Sequence, residues 1–313
     1  MNDTMPAIVI WTIQILLIPA LSPFFIGVTR KLKAKMQNRA GASPFQPYRD
    51  LWKLFHKDEV ISQDASWIFR AAPYLIFGAT LIIGASIPLV STALPNGLTG
   101  DFLVVIYLVA LGTFFQALAG VDTGGAFGGF GSSREMMVAA LTEGGLILSL
   151  LTLALISKTT NLAGISHTIA SLSFPSFTPI ILAFISFAIA LLAETCRYPF
   201  DNPATHLELT MIHEAMILEY SGKRLALIEW AAANKYLIFI ALGANLFIPW
   251  GIAGSLDAAP ILAASALFLV KVFGFCSAIA VLESSIAKLR LFRLPDLLFT
   301  SFIIGIIALG LIT

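Results

Sequence analysis

Apolar runs of 18 or more residues recur along this 313-residue chain, and each is long enough to cross a hydrocarbon layer of about 30 Å as an α-helix. The expected spans lie near 6–28, 68–90, 101–121, 135–157, 177–195, 228–250, 260–283 and 296–312. Composition agrees: 58% of the residues are hydrophobic, more than a soluble domain of this size needs. The reading is an all-α polytopic membrane protein, one transmembrane domain over 1–313, with eight transmembrane helices. No basic region precedes the first run, so that run reads as a retained span and not as a cleaved signal.

Lys and Arg set the orientation, because they accumulate on the cytoplasmic side. Nine fall in the first loop, one in the third, and three each in the fifth and seventh, so 16 of 19 share one side. That side is expected to be cytoplasmic. It contains the long loops at about 29–67 and 196–227, and both termini face the other way. In the first loop, Tyr48, Leu51, Trp52, Leu54 and Phe55 share one helical face, while Arg49, Asp50, Lys53 and Lys57 fill the other. This predicts a short amphipathic interfacial helix, either an anchor or a lid beside a cavity. The third loop, 122–135, is glycine-rich but follows no strand and lacks a Lys-Ser/Thr pair, which excludes a phosphate-binding loop. Ser132 or Ser133 is the expected N-cap of the fourth span, with Glu135 in its first turn.

The chain is only 12% charged, yet residues 194–229 hold six of its 18 acids: Glu194, Asp201, Glu208, Glu214, Glu219 and Glu229. His206 and His213 lie among them. Pro199 and Pro203 break any continuous helix there, so convergence of these acids requires an irregular fold around a cavity. Glu143, Lys235 and Lys271 fall inside spans, and Glu194 and Glu283 at span ends. Charges at such depth must pair or line a hydrated path. Two readings follow: structural ion pairs, for instance Glu143 with Lys271, or a proton path of alternating Glu and Lys. Two cysteines and dispersed histidines make no metal or disulfide framework, and no self-contained catalytic set is legible.

Several motifs together resemble one family. Glu194-x-x-Arg197-x-Pro199-Phe200-Asp201, then Glu208-Leu209 and Glu219-Tyr220-Ser221-Gly222, resemble the signature of the complex I subunit 1 family. Arg39-Ala-Gly41 and Gln46-Pro47-Tyr48-Arg49-Asp50-x-x-Lys53-Leu54 resemble its first cytoplasmic loop. Asp122-Thr-Gly124, Gly131-Ser-Ser-Arg134-Glu135, Glu143 and Glu283-x-x-x-Ala-Lys-Leu-Arg290 look closer to the energy-converting hydrogenase branch, such as formate hydrogenlyase and hydrogenase-4 subunits. The pattern departs in the middle: three acids usual at alternate positions align to Ala204, His206 and Glu208, and His213 and Glu214 come in an apparent insertion. His206, with an ordinary pKa of about 6.5, could still relay protons.

The resemblance implies a non-catalytic membrane anchor and proton-coupling subunit in the cell inner membrane. It would dock a hydrogenase-like large subunit and an iron–sulfur small subunit, beside antiporter-like membrane subunits, in the lipid bilayer and with no nucleic acid. No cofactor is expected in this chain; iron–sulfur clusters, with nickel–iron if the large subunit is a true hydrogenase, would sit in partners. The expected proton path comprises Glu143, Glu194, Asp201, His206, Glu208, His213, Glu214, Glu219, Glu229, Lys235, Lys271 and Glu283. The expected docking set comprises Arg39, Gln46, Arg49, Asp50, Lys53, Asp122, Arg134, Glu135, Arg197, Tyr220 and Arg290. The rivals are a quinone-site subunit of an NADH:quinone oxidoreductase and a structural or ion-translocating subunit without redox work.

Overall fold

Every expected span is helical in the computed structural model, which describes residues 4–92, 100–172, 177–202, 211–255 and 257–312. The long helices are α1 (Thr4–Met36), then, after a short α2 (Gln46–Phe55), α3 (Trp67–Ser86), α4 (Phe102–Asp122) and α5 (Ala126–Ser157). A short α6 (Leu162–Ala170) precedes α7 (Phe177–Glu194), and a five-residue α8 (His213–Ile217) precedes α9 (Gly222–Leu242). The chain closes with α10 (Ala258–Ser285) and α11 (Leu294–Gly310). Among the described residues, seven helices are long and apolar enough to cross a membrane. The apolar part of α7, Thr178–Glu194, makes the eighth; its 17 residues extend roughly 26 Å at 1.5 Å per residue. The protein is a multi-pass membrane protein.

Several boundaries differ from expectation. The glycine-rich segment 122–135 is not a loop: α5 starts at Ala126 with Gly125, not Ser132 or Ser133, at its N-cap. Glu135 is therefore well inside the helix and buried. Glycine weakens an isolated helix, but here it lets backbones touch. A Cβ on Gly128 would sit 2.0 Å from the Gly120 carbonyl oxygen of α4, and one on Gly131 2.7 Å from the Ala215 side chain of α8. Close approach of this kind is how membrane helices gain packing energy. Gly129, one residue on, faces open space. Gly128→Ala is therefore expected to destabilise by about 1–3 kcal/mol through overpacking, whereas Gly129→Ala is neutral or slightly stabilising; thermal unfolding in detergent compares them. α9 differs too: it begins at Gly222 and draws Lys223 and Arg224 out of the expected loop and into a helix.

Polar side chains join the helices. Ser22 of α1 donates to Asn234 of α9 at 2.7 Å, and Asn234 donates to Thr80 of α3 at 3.0 Å. Ser186 of α7 donates to the Ser301 carbonyl of α11 at 2.9 Å. α9 loosens into a π-helical turn, Gly243–Phe247. Its Asn245 donates to the carbonyls of Pro88 (2.8 Å) and Leu89 (2.9 Å), where α3 has ended. Gln14 of α1 accepts from the Leu89 and Val90 amides at 2.9 and 3.0 Å. Non-helical backbone inside such a bundle is tolerated because these side chains satisfy it.

Candidate functional site

The Glu219-Tyr220-Ser221-Gly222 motif fastens the first loop to α9. Tyr220 stacks on Phe69 at 3.9 Å and donates to its carbonyl at 2.9 Å. The Ser221 hydroxyl accepts from the Val60 amide (2.9 Å) and donates to the Val60 carbonyl (3.0 Å). Gly222 takes a left-handed φ of +54° against the carbonyls of Lys57 and Asp58, a geometry that glycine adopts without strain. Arg224 adds an ion pair to Glu59 at 2.5 Å. Glu219 itself is exposed, its carboxylate beside Gly125 at the start of α5.

The Arg197-x-Pro199-Phe200-Asp201 motif closes the ends of α1, α7 and α10 on the side of the long loops. Arg197 is buried, lies over the Tyr236 ring at 4.4 Å, and meets Glu283 at 3.2 Å. Glu283 also pairs with Lys33 of α1 at 3.0 Å. Asp201 is buried; it pairs with Lys288 at 2.5 Å and accepts from the amides of Asn202 (2.8 Å), Ile212 and His213 (both 3.2 Å). Glu283 and Asp201 thus serve as structural clamps in this arrangement. His206 and Glu208 lie outside the described residues.

Between these fastenings lie two cavities. The outer one, about 460 Å³, sits beneath α2 and is walled by Leu51 and Leu54 of α2 together with Ile217 and Leu225. The inner one holds about 110 Å³ and penetrates the helices between α3, α4, α5, α7 and α9. At ~10–15 Å³ per water position that is room for several waters. Ile26, Arg30, Glu214 and Glu229 line both, so Glu214 stands where they meet. Deeper in, His213 Nδ1 lies 3.0 Å from the Gln116 amide nitrogen. Beyond it the Lys235 ammonium lies 2.7 Å from Glu194 and 3.3 Å from the Thr113 hydroxyl. Glu135, also on the cavity wall, interacts electrostatically with Lys235, Glu194 and Asp201. Glu143 interacts with Glu194 and Lys235. Lys235 thus pairs with Glu194, and Glu135 and Glu143 lie within electrostatic reach of that pair.

Several residues sit elsewhere than their sequence context suggested. Glu143 does not pair with Lys271; the pair that forms is Lys235 with Glu194. Lys271 instead donates to the Ile248 carbonyl at 2.6 Å. Glu135 was expected in a docking surface and is in the buried cluster. Asp122 accepts from the amides of Ser66 (2.8 Å) and Phe69 (3.2 Å), Arg134 donates to the Met211 carbonyl (3.0 Å), and Gln46 donates to Asp50 (2.8 Å). Arg39, Arg49, Lys53 and Arg290 are exposed. Gln116, Thr113 and Arg30 were not singled out from sequence. Nothing in an apolar helix distinguishes a lone Gln or Thr that lines water from one that packs.

Burial drives His213 and Glu214 in opposite directions. It raises the Glu214 carboxyl to about 7, helped by Glu229 and then Asp201 and opposed by Arg30. It lowers the His213 imidazole to about 4, with Asp201 opposing and Lys235 assisting. Linkage fixes the signs. Glu214 binds its proton more tightly when folded, so its contribution is full below about pH 4.5 and is lost as pH rises through about 7. His213 binds its proton less tightly when folded, so its contribution is full above about pH 6.5 and is lost as pH falls through about 4. The slopes oppose each other in the overlapping window. His213→Gln is expected to make the protein relatively more stable at pH 5 than at pH 7.5, and Glu214→Gln the reverse, each by at least about 2–4 °C in Tm. Thermal unfolding across that range reads both.

A family model described as NADH dehydrogenase matches residues 8–313. The chain belongs to the NADH dehydrogenase family. Within this family it is 35% identical to hydrogenase-4 component C of Escherichia coli (strain K12), covering 94% of this chain and 92% of that protein. It is 33% identical to formate hydrogenlyase subunit 4 of the same organism, over 93% and 94% of the two chains. An NADH-quinone oxidoreductase subunit of Syntrophotalea carbinolica is 28% identical over 93% and 91%. A chain in the structure of the membrane-bound sulfane sulfur reductase, an archaeal respiratory membrane complex, shares the fold, with a TM-score of 0.84 at 21% identity over the full length of both. As a member of the NADH dehydrogenase family, the chain is a membrane subunit of the complex I-like type, similar to hydrogenase-linked and quinone-linked subunits alike.

Proposed function

We propose that this chain anchors the hydrophilic arm of a hydrogenase-like redox complex and couples its electron transfer to proton movement. The observation that carries the reading is the polar lining of the inner cavity, Glu214, His213, Gln116, Glu135, Lys235 and Glu194, with Glu143 in electrostatic reach of the last two. The Lys and Arg distribution supports a cytoplasmic mouth, both termini on the opposite side, and an inner-membrane location. Arg39, Arg49, Lys53 and Arg290 are exposed, and this reading gives that basic set to an iron–sulfur small subunit and a hydrogenase-like large subunit. The redox centres would sit in those partners.

In this scheme Glu214 gains or loses its proton near neutral pH. A charge arriving in the docked arm shifts that equilibrium, and water in the inner cavity passes the proton to the carboxyls around Lys235. The ammonium changes partner between Glu194 and its neighbours, and the released proton continues by Glu143 toward antiporter-like subunits. Neutral His213 with Gln116 bridges the gap between Glu214 and the cluster as a hydrogen-bond relay.

Purification from native membranes through a tag on this chain tests the anchor role. Recovery of an iron–sulfur subunit and of a large subunit with two Cys-x-x-Cys pairs is expected. Purification with no iron–sulfur subunit would overturn the reading. One observation favours a second reading, a quinone-site subunit: the outer cavity has an apolar wall contributed by α2 and α9. Quinone extracted with the purified complex would support that alternative.

A further inference from the structure

Lys271 stands in the middle of α10, 13 residues after Ala258 and 14 before Ser285, so roughly 20 Å from either end at 1.5 Å per residue. At that depth an unpaired charge costs at least about 2.5–3.5 kcal/mol. The lysines Lys235 and Lys33, by contrast, meet carboxylates, in Lys235–Glu194 and Lys33–Glu283–Arg197. Lys271 has none among the described residues. Its ammonium, with three donors, meets the Ile248 carbonyl at 2.6 Å and the Asn245 side-chain oxygen at 3.4 Å, where α9 ends. Carbonyls at a helix C-terminus suit a cation, but they are dipoles and leave one donor and the full charge unmatched.

The surroundings of Lys271 say where the missing charge must come from. α10 buries a single stripe, including Ala264, Phe268, Val272 and Cys276, and Lys271 lies on its flank, half-buried. Leu267, Gly274 and Ala278 share the helical side of Lys271 and are all exposed. A Cβ on Gly274 would touch nothing. Small residues four apart beside a polar group are what a second membrane helix packs against.

We propose that this face of α10 docks a transmembrane helix of another subunit, one that carries an aspartate or glutamate at mid-depth to pair with Lys271. Charge complementarity selects the occupant: lipid tails and a second copy of this apolar face supply no carboxylate. The proposal rests on the multi-subunit reading above but concerns a different surface from the exposed basic residues assigned to the hydrophilic arm.

A photoreactive amino acid at Leu267, activated in native membranes, tests it. The expected adduct is a membrane-subunit peptide with an Asp or Glu within one helical turn of the attachment point. Lys271→Glu should lower the yield at least about tenfold, as breaking a buried pair does, and placing Lys at the identified acid should restore it. Adducts to phospholipid alone, to a second copy of this chain, or to a helix without an acid would each overturn the proposal. Co-purification of the iron–sulfur subunit, followed in the same preparations, separates the two readings. If it persists while the adduct is lipid alone, only the α10 interface is wrong.

Discussion

Lys235→Met is expected to lower stability by about 3–5 kcal/mol and to abolish coupled proton movement. Its partner Glu194 keeps only 3% of its side chain exposed, and Glu135 is buried on the same wall. Removing the ammonium leaves these carboxyls without their counter-charge, and a broken buried pair is far more costly than a deleted one. The double variant Lys235→Met/Glu194→Gln removes both charges. It should therefore recover most of the lost stability, with a coupling energy between the two sites of at least about 1 kcal/mol. It should not recover proton movement, because the group that changes partner is gone. A purely structural pair would give recovery of both. Thermal unfolding together with proton uptake into vesicles, for the two single variants and the double, separates these outcomes.

The second large effect is expected at Asp201. This one carboxylate accepts three backbone amides and the Lys288 ammonium. Asp201→Ala strands the Ile212 and His213 amides and leaves Lys288 without this partner, for a loss of about 3–5 kcal/mol. Asp201→Asn keeps an acceptor and loses the charge, so it should fall between Ala and wild type. Because Asp201 fixes the residue next to Glu214, the damage should be local as well as global. Hydrogen exchange at the Ile212 and His213 amides should rise at least about tenfold in Asp201→Ala, while exchange in α5 rises less.

The eight spans were legible because an apolar run of bilayer length has few alternatives, and the two ends of the bundle could be told apart because Lys and Arg segregate so strongly. What was not legible depended on contact. Residues 122–135 read as a loop because glycine opposes an isolated helix; only the Gly120 carbonyl pressed on Gly128 explains why the helix starts so early. The Lys33–Glu283–Arg197 clamp was hidden because α1 runs past its apolar stretch to Met36, so Lys33 counted only toward topology. The absence of Gly or Pro between Thr29 and Gln37 was a signal that could have extended that helix. The six-acid segment divides on inspection of its surroundings. Asp201 is a clamp, Glu219 an exposed acid, and Glu194, Glu214 and Glu229 cavity-lining groups. Periodicity could not separate these roles, since Arg197 and Asp201 lie in an irregular segment after α7, tied to Glu283 and Lys288, instead of on a helical face.

The most direct test of coupling is the number of protons moved per electron by the purified complex in sealed vesicles, compared between wild type and Lys235→Met/Glu194→Gln. The double variant is expected to assemble and transfer electrons with its proton-to-electron ratio reduced to near zero. An unchanged ratio in an assembled, electron-transferring double variant would contradict the role given to this chain.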